Sequence, residues 1–515
     1  MKKQVSIHPL LLAAYPVLFL YSNNAGSTDA HVIWKPLAFI LFAVSISWLS
    51  LRSLPNNKVS AGILTTLFLI LFFSYGHVHD TLYTRGVIIG RHRFLLPMWG
   101  GLLALGVYLV RRAQPHVHTI NGFLNVVAIA VVAAPLVGIG DRLFRQANVS
   151  SISVGSGTEE SDPFALTIPE PPRDIYYIVL DGYQRSDALL EVLGYDNSDF
   201  ADYLTTRGFY VASQSNSNYA YTMLSLASSL NMEYVNYLSD TIGAGSTDNR
   251  ATYPLIQDNR VGRLLQSIGY RYVQIGSKYT GTNSSQIADE MLSFWAGNEQ
   301  DQFNSLLFAT TVAHPLLKDF SPFADDYEAN RSAILFPFDE IPRLGNRSQP
   351  VFVFAHIVSP HPPYVFGADG EYVSEPEGGP SLEETQIKYL NQLIFINGKV
   401  KELIDIILEQ SRVQPIIILQ SDHGWAWSIG WQQAPNTPLD ETFDKHEIFG
   451  VLNAYYLPDN GTQLLYESIS LVNTFRVVFK TYFGADLELL NDVSYFSDYY
   501  QSPYVFTDVT DMLDP

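Results

Sequence analysis

The stretch Pro415-Ile416-Ile417-Ile418-Leu419-Gln420-Ser421-Asp422-His423-Gly424 decides the fold of the larger part of this chain. A short, uninterrupted apolar run with an abrupt polar end is the pattern of a central parallel strand covered on both faces, where in–out alternation is lost. Two other runs share it. Ile175–Leu180 stops at Asp181-Gly182-Tyr183, and Val351–Ile357 runs into Ser359-Pro360-His361-Pro362-Pro363-Tyr364. Phe209–Ala212, Tyr270–Ile275 and Asn453–Leu457 also read as strands. Helical spacing of apolar residues appears over Thr222–Leu230, Leu382–Leu408 and Val472–Tyr482. Strands alternating with helices give an α/β domain around a mostly parallel central sheet. Ligands in such sheets sit beyond the carboxyl ends of the strands. Three strand ends, far apart in sequence, therefore deliver Asp181, His361, Asp422 and His423 to one edge.

Histidine usage points to the same edge. Seven of the 12 histidines lie before residue 120, and only His314, His356, His361, His423 and His446 follow. Three of these five sit in or beside the strand-end motifs, which scattered surface histidines would not do. His356, inside its strand, reads as a packed or supporting residue behind the ligands. The polar loop Ser215–Tyr221 enters a helix in which Met223, Leu226, Ala227 and Leu230 share one face. Thr222 falls at the N-terminus of that helix, where free N–H groups and the positive dipole end stabilise an alkoxide or a bound phosphate. The same position suits a plain N-cap. A metal ion beside it would decide, since coordination deprotonates a hydroxyl at neutral pH.

Upstream, the composition changes character. Residues 1–145 hold 12 Lys/Arg and three acids (Asp29, Asp80, Asp141), a net of +9, and five apolar runs near 7–21, 36–51, 60–76, 94–110 and 120–140. Each approaches the ~20 residues that span a bilayer core, and Tyr21, Trp34, Arg52, Arg111 and Arg112 lie at their ends as interfacial anchors. Five transmembrane helices are expected. Loop charges do not orient them, because six basic residues fall on each side. Residues 146–172, Ser-rich and then Glu170-Pro171-Pro172, read as a linker. Residues 173–485 read as the α/β domain and 486–515 as an acidic, aromatic C-terminal tail. Beyond residue 145 the chain carries 19 basic and 48 acidic side chains, a net of −29, which argues against nucleic-acid binding. The absence of cysteine excludes disulfides, thiolate metal sites and a Cys nucleophile.

Taken together, Tyr177–Tyr183, the Thr222–Asn231 helix, Pro360-His361-Pro362-Pro363-Tyr364, Ser421-Asp422-His423-Gly424 and Asn453–Pro458 resemble the sulfatase-like branch of the alkaline phosphatase superfamily. The likeness is to bacterial membrane enzymes of the lipoteichoic acid synthase and phosphoethanolamine transferase kind, by motif over 173–485 and by architecture over 1–145. It implies a protein of the bacterial inner membrane with an extracytoplasmic catalytic domain. It also implies that Asp181, Thr222, Asp422 and His423 hold a divalent metal, Zn2+ or Mn2+. Thr222 would be the nucleophile of a phosphothreonine intermediate. His361 and His446 would face the substrate phosphate or a second metal. The donor implied is a phospholipid carrying phosphoglycerol or phosphoethanolamine, and the acceptor a cell-envelope glycan or lipid. Asp181 departs from the Glu common in those relatives, no aspartate for a second metal is evident, and the context Lys445-His446-Glu447 matches poorly.

Two other readings are open. A hydrolase of the same family would need only water as acceptor. True sulfatases, however, form formylglycine within Cys/Ser-x-Pro-x-Arg, and the corresponding proline and arginine positions here hold Leu224 and Leu226. Sulfate-ester hydrolysis is thus disfavoured, while phosphodiester hydrolysis stays open. A non-catalytic subunit of an envelope-polymer machine would be expected to have lost Thr222 or Asp422. A −29 body handling anionic head groups also needs a locally positive pocket.

Overall fold

The computed structural model describes residues 5–24, 30–52, 58–84, 87–149, 166–294, 299–317, 326–345, 347–373, 381–425, 445–499 and 501–513. Five helices fill the first stretch of chain: α1 (His8–Asn24), α2 (Trp34–Arg52), α3 (Lys58–Thr84), α4 (His92–Arg112) and α5 (Val117–Val149). Among the described residues, four stretches are long and apolar enough to cross a membrane: Ala30–Leu51, Lys58–Tyr83, His92–Arg112 and Gln114–Gly140. The expected five transmembrane helices are corrected to four. The first apolar run ends at Asn23-Asn24, so α1 has 17 residues and rises about 25 Å, against a hydrocarbon core of about 30 Å.

A polar knot ties α1, α3 and α5 together. His8 is fully buried, with Nδ1 2.6 Å from Thr66 Oγ1 and Nε2 3.2 Å from Asn121 Oδ1. Asn125 Oδ1 accepts the N–H groups of Ile7 and His8, which would otherwise be orphans at the start of α1. Polar groups among apolar helices have to find partners within the protein, and these do.

The second unit is built on a seven-stranded sheet. Its strands are β1 (Ile175–Leu180), β2 (Tyr210–Val211), β3 (Arg271–Gly276), β4 (Glu290–Ser293), β5 (Val351–Ile357), β6 (Ile416–Gln420) and β7 (Asn453–Tyr456), in the order β2-β7-β6-β1-β5-β3-β4. From β6 to β4 every pairing is parallel; β7 runs antiparallel to β6, and β2 antiparallel to β7. This is the mostly parallel α/β sheet that the sequence led one to expect. Every residue of β1, β5 and β6 is buried, which explains their continuous apolar character.

Helices in this unit are α6 (Ser186–Leu193), α7 (Ser198–Thr206), α8 (Thr222–Asn231), α9 (Tyr253–Gln257) and α10 (Arg260–Ser267). Two further helices, α11 (Glu299–Ala309) and α12 (His314–Leu317), group with the N-terminal helices instead. The remainder are α13 (Asp326–Glu340), α14 (Leu382–Gln410), α15 (Lys445–Phe449) and α16 (Thr474–Tyr482). The two-residue period of the strands sends Tyr177, Val179, Phe352, Phe354 and Ile418 to one face, under α8, α10 and α16. Tyr176, Ile178, Leu180, Val353 and Leu419 go to the other, under α7, α13 and α14.

Residues 486–515, read as a tail, carry a second sheet, the antiparallel pair β8 (Tyr495–Asp498) and β9 (Ser502–Asp508). Phe496, Val509 and Leu513 pack with Ala220, Tyr221 and Phe449. Tyr495 N–H donates to the Asn218 carbonyl at 2.9 Å, and Ser494 Oγ to the Ser217 carbonyl at 2.7 Å. The C-terminal segment therefore fixes the loop that leads into α8.

Candidate metal centre

Sheet register brings the strand ends to one place. Val179 of β1 stands opposite His356 of β5 and Gln420 of β6, so Asp181 and Asp422 each follow two residues beyond the same level. Asp181, His356, Asp422 and His423 are all buried, and donor atoms of Asp181, His356 and Asp422 lie within 4.8 Å of one another. His356 Nε2 is 3.4 Å from Asp181 Oδ2 and 3.9 Å from Asp422 Oδ2. His423 Nε2 is 3.6 Å from both Asp181 Oδ1 and Asp422 Oδ2.

Three atoms in this cluster, Asp181 Oδ1, His356 Nε2 and Asp422 Oδ2, are buried without a hydrogen-bond partner. Each unsatisfied buried group costs about 1–3 kcal/mol, and more when charged. Three of them converging are what a bound cation would satisfy, and two carboxylates with two imidazoles form a donor set that suits a divalent metal. His356, expected behind the ligands, brings its Nε2 into this group of converging atoms.

Backbone and hydroxyl groups hold the donors in place. His423 Nδ1 is 2.7 Å from the Gly424 carbonyl, and His356 Nδ1 is 3.0 Å from Thr282 Oγ1. With those atoms as N–H donors, both rings keep the Nε2 lone pair for the cluster. Asp422 Oδ1 accepts the N–H groups of Gly182 and His423, and Ser225 Oγ donates to the Asp422 carbonyl at 2.6 Å. Gly424 must lack a Cβ, which would lie 2.2 Å from the Glu447 carbonyl oxygen.

Thr222 opens α8, and its Oγ1 lies 3.1 Å from His423 Nε2. The N-cap of α8 is Tyr221, whose side chain makes no capping bond. The Thr222 hydroxyl thus faces the cluster and does not cap. His361 is held beside Asp181, its N–H donating to the Asp181 carbonyl at 3.0 Å. Its Nδ1 is 2.7 Å from the Pro362 carbonyl, and its ring stands edge-on to Trp425 at 5.2 Å. His446 belongs to α15, but its side chain lies outside the described residues.

Electrostatics tie these groups together. Burial pushes the Asp181 carboxyl up, but the imidazoles of His361, His356 and His423 outweigh it and hold the group well below the usual carboxylate range. Burial pushes His423 down, but the carboxylates of Asp422 and Asp181 outweigh that and raise it above 6.5.

Sequence reasoning did not single out Ser277, Lys278 or Thr282. Ser277 and Thr282 support His356, and Lys278 Nζ donates to Asn330 Oδ1 at 2.8 Å. Lys278, Asn330, His356 and Pro363 line a small cavity none of whose lining residues is acidic. The signal was available: Ser277 and Lys278 follow β3 as Asp181 follows β1.

The sequence profile of the sulfatase family matches residues 173–468, more than half of the chain. The chain belongs to the sulfatase family. It is a sulfatase-family enzyme of the alkaline phosphatase superfamily, whose members are metal-dependent. No curated protein matches the sequence. Among solved structures, the chain is similar to the C-terminal periplasmic domain of EcEptC from Escherichia coli, at 14% identity over 66% of this chain and 93% of that one, TM-score 0.42. It is similar to the integral membrane protein lipooligosaccharide phosphoethanolamine transferase A from Neisseria meningitidis, at 11% identity over 92% and 95%, TM-score 0.41. It is also similar to the lipoteichoic acid synthase LtaP from Listeria monocytogenes, at 13% identity over 66% and 80%, TM-score 0.38.

Proposed function

We propose that this sulfatase-family enzyme is a membrane-anchored phosphotransferase that moves phosphoglycerol or phosphoethanolamine from a phospholipid to a cell-envelope glycan or lipid. The observation that carries the reading is the convergence of Asp181 Oδ1, His356 Nε2 and Asp422 Oδ2, all buried and unpartnered, beside the Thr222–His423 pair. Asp181, His356, Asp422, His423 and Thr222 Oγ1 would hold the metal, Zn2+ or Mn2+. Bound there, it would supply Lewis-acid charge that favours the Thr222 alkoxide and screens the phosphodiester.

In this mechanism Thr222 Oγ1 bonds to phosphorus as the bond from phosphorus to the diacylglycerol oxygen breaks. His361, protonated on both ring nitrogens for this step with Nδ1–H on the Pro362 carbonyl, would give its Nε2 proton to that leaving oxygen. The freed Nε2 then takes the proton of the acceptor hydroxyl as that oxygen bonds to phosphorus and the bond to Thr222 Oγ1 breaks, which returns Thr222 as the alkoxide and His361 to its protonated form. Lys278, on the acid-free cavity beside His356, would favour the anionic group. Phospholipid donors of this kind are used on the outer leaflet, so we place the α/β unit on the extracytoplasmic side of the bacterial inner membrane. Tethering raises the effective concentration of the head group.

The test uses the full chain in lipid nanodiscs with head-group-labelled phospholipids, with and without EDTA, and mass spectrometry of the Thr222 peptide. Label on Thr222 that EDTA prevents is expected; an unlabelled Thr222 during sustained turnover defeats the mechanism. Free head group with no acceptor product would assign phosphodiester hydrolysis instead.

Metal loading should also depend on pH. His423 is raised above 6.5 in the metal-free chain, so a proton competes with the metal at a higher pH than for an ordinary imidazole. Metal content after equilibration is expected to rise with pH through and above 6.5 and to fall below it. Occupancy that stays flat across this interval would remove His423 from the ligand set.

A further inference from the structure

Between β4 and α13 of the α/β unit, the helices α11 and α12 group with the N-terminal helices. α11 buries Phe303 and Leu307 against Val17, Tyr21, Val32 and Ile33. Gln300 Nε2 donates to the Val32 carbonyl at 2.9 Å. The turn after α11 locks onto α3 by its backbone: Gly76 N–H donates to the Thr310 carbonyl and Val312 N–H to the Phe72 carbonyl, each at 2.9 Å. A Cβ on Gly76 would lie 2.2 Å from the Ala309 carbonyl oxygen, so glycine is what admits this approach.

These contacts fix where the excursion sits along the helices. Val17 and Tyr21 lie in the last turns of α1, and Val32 and Ile33 directly precede α2. Gly76 comes 18 residues after the start of α3, about 27 Å along its axis and near the far edge of a ~30 Å hydrocarbon layer. The excursion thus lies at one end of the helices, at the level where apolar core gives way to head groups. Among the described side chains of the excursion, the exposed ones are apolar: Leu306 is 40% exposed, Leu316 60% and Leu317 50%. Two of its hydroxyls are satisfied by carbonyls within the arm itself. Thr310 Oγ1 donates to the Leu307 carbonyl and Thr311 Oγ1 to the Phe308 carbonyl, the arrangement an apolar surround requires. The neighbouring helices continue this exposed apolar surface, with Phe42 and Val126 each 67% exposed.

We propose that residues 299–317 form a membrane-seated arm, docked on α1 and α3, whose Leu306, Leu316 and Leu317 contact lipid acyl chains at the edge of the bilayer. The exposed leucines are continuous with the apolar surface of the spans, and a lipid is the partner that covers both. The inference rests on the helices being embedded in a bilayer and not on the phosphotransfer reading.

The chain has no cysteine, so single-cysteine labelling tests it directly. Leu316→Cys and Leu317→Cys are labelled with bimane in the full chain in nanodiscs whose acyl chains carry nitroxides at shallow and deep positions. Val126→Cys on α5 and Leu190→Cys on α6, 56% exposed, are the lipid and water references. Emission at 316 and 317 is expected to be lost to lipid nitroxides as at 126, and to resist aqueous iodide. If both sites behave like 190 while 126 is quenched by lipid, the arm lies in water and the proposal fails. Protection from both quenchers would mean a protein surface covers the leucines, which also overturns it. If 126 itself escapes lipid nitroxides, the membrane reading falls and the arm with it, whatever the enzyme's chemistry.

Discussion

Replacing Thr222 with alanine is expected to lower head-group transfer by at least about 10³-fold, because a covalent route that loses its nucleophile retains only binding and electrostatic assistance. Two nearby serine hydroxyls are engaged elsewhere. Ser225, one turn later on α8, is committed to the Asp422 carbonyl at 2.6 Å, and Ser421 Oγ to the His423 carbonyl at 2.8 Å. Folding should survive, since Thr222 makes no capping bond and a cap substitution of this kind costs only about 1 kcal/mol even where one exists. Asp181, His356, Asp422 and His423 remain to bind metal, so metal content should stay near that of the parent. Thr222→Ser separates chemistry from packing. It keeps the oxygen and loses a methyl group, and should recover most of the phosphoenzyme signal in mass spectrometry. Equal turnover in Thr222→Ala and the parent would remove Thr222 from the reaction.

Much of the sheet could be read from the chain because its central strands advertise themselves. β1 and β5 have the bounds that their apolar runs suggest, and β6 begins one residue later, after Pro415, which has no N–H to give a ladder. β4 escaped because four residues, Glu290-Met291-Leu292-Ser293, hold neither a β-branched residue nor enough length to show a period. β8 and β9 were hidden by the acidic composition of 486–515. What buries them is aromatic side chains on alternate positions, such as Phe496 and Tyr504. The excursion 299–317 was invisible for a different reason. An 11-residue helix is far too short for a span, and nothing local marks whether its apolar face meets a sheet or a membrane helix.

Within the site, Asp181, Asp422 and His423 were legible from a single rule about strand ends. His356 was not, since a histidine inside a strand has one side-chain direction in two. That direction is set by register: His356 shares the face of Phe352 and Phe354 under α8, opposite Val179, two residues short of Asp181. Sequence cannot say that β5 adjoins β1, and without that neighbour relation the third orphaned donor cannot be located.

Chelation is expected to lower the melting temperature of the parent protein by several degrees while leaving Asp422→Asn unaffected. In the metal-free chain, Asp181 and Asp422 stand buried with an unpartnered oxygen each, and the basic side chains that face them among the described residues are imidazoles. A ligand that binds the folded state alone stabilises it by about 4 kcal/mol at a thousand times its dissociation constant, and chelation removes that contribution. Asparagine at 422 is nearly isosteric. Its Oδ1 can still accept from the N–H groups of Gly182 and His423 at 3.2 and 3.0 Å, but the charge that holds a metal is gone. Removing one of two buried carboxylates also relieves their mutual repulsion, so without metal the variant should melt no lower than the parent, and with metal well below it. The comparison separates a metal site from a buried acidic cluster that is merely structural. A structural cluster would make Asp422→Asn less stable by a similar amount with and without EDTA, because its loss would not depend on any ion. Calorimetry of both proteins, each with added Zn2+ or Mn2+ and each with EDTA, measures the four quantities, and parallel curves would end the case for the metal centre.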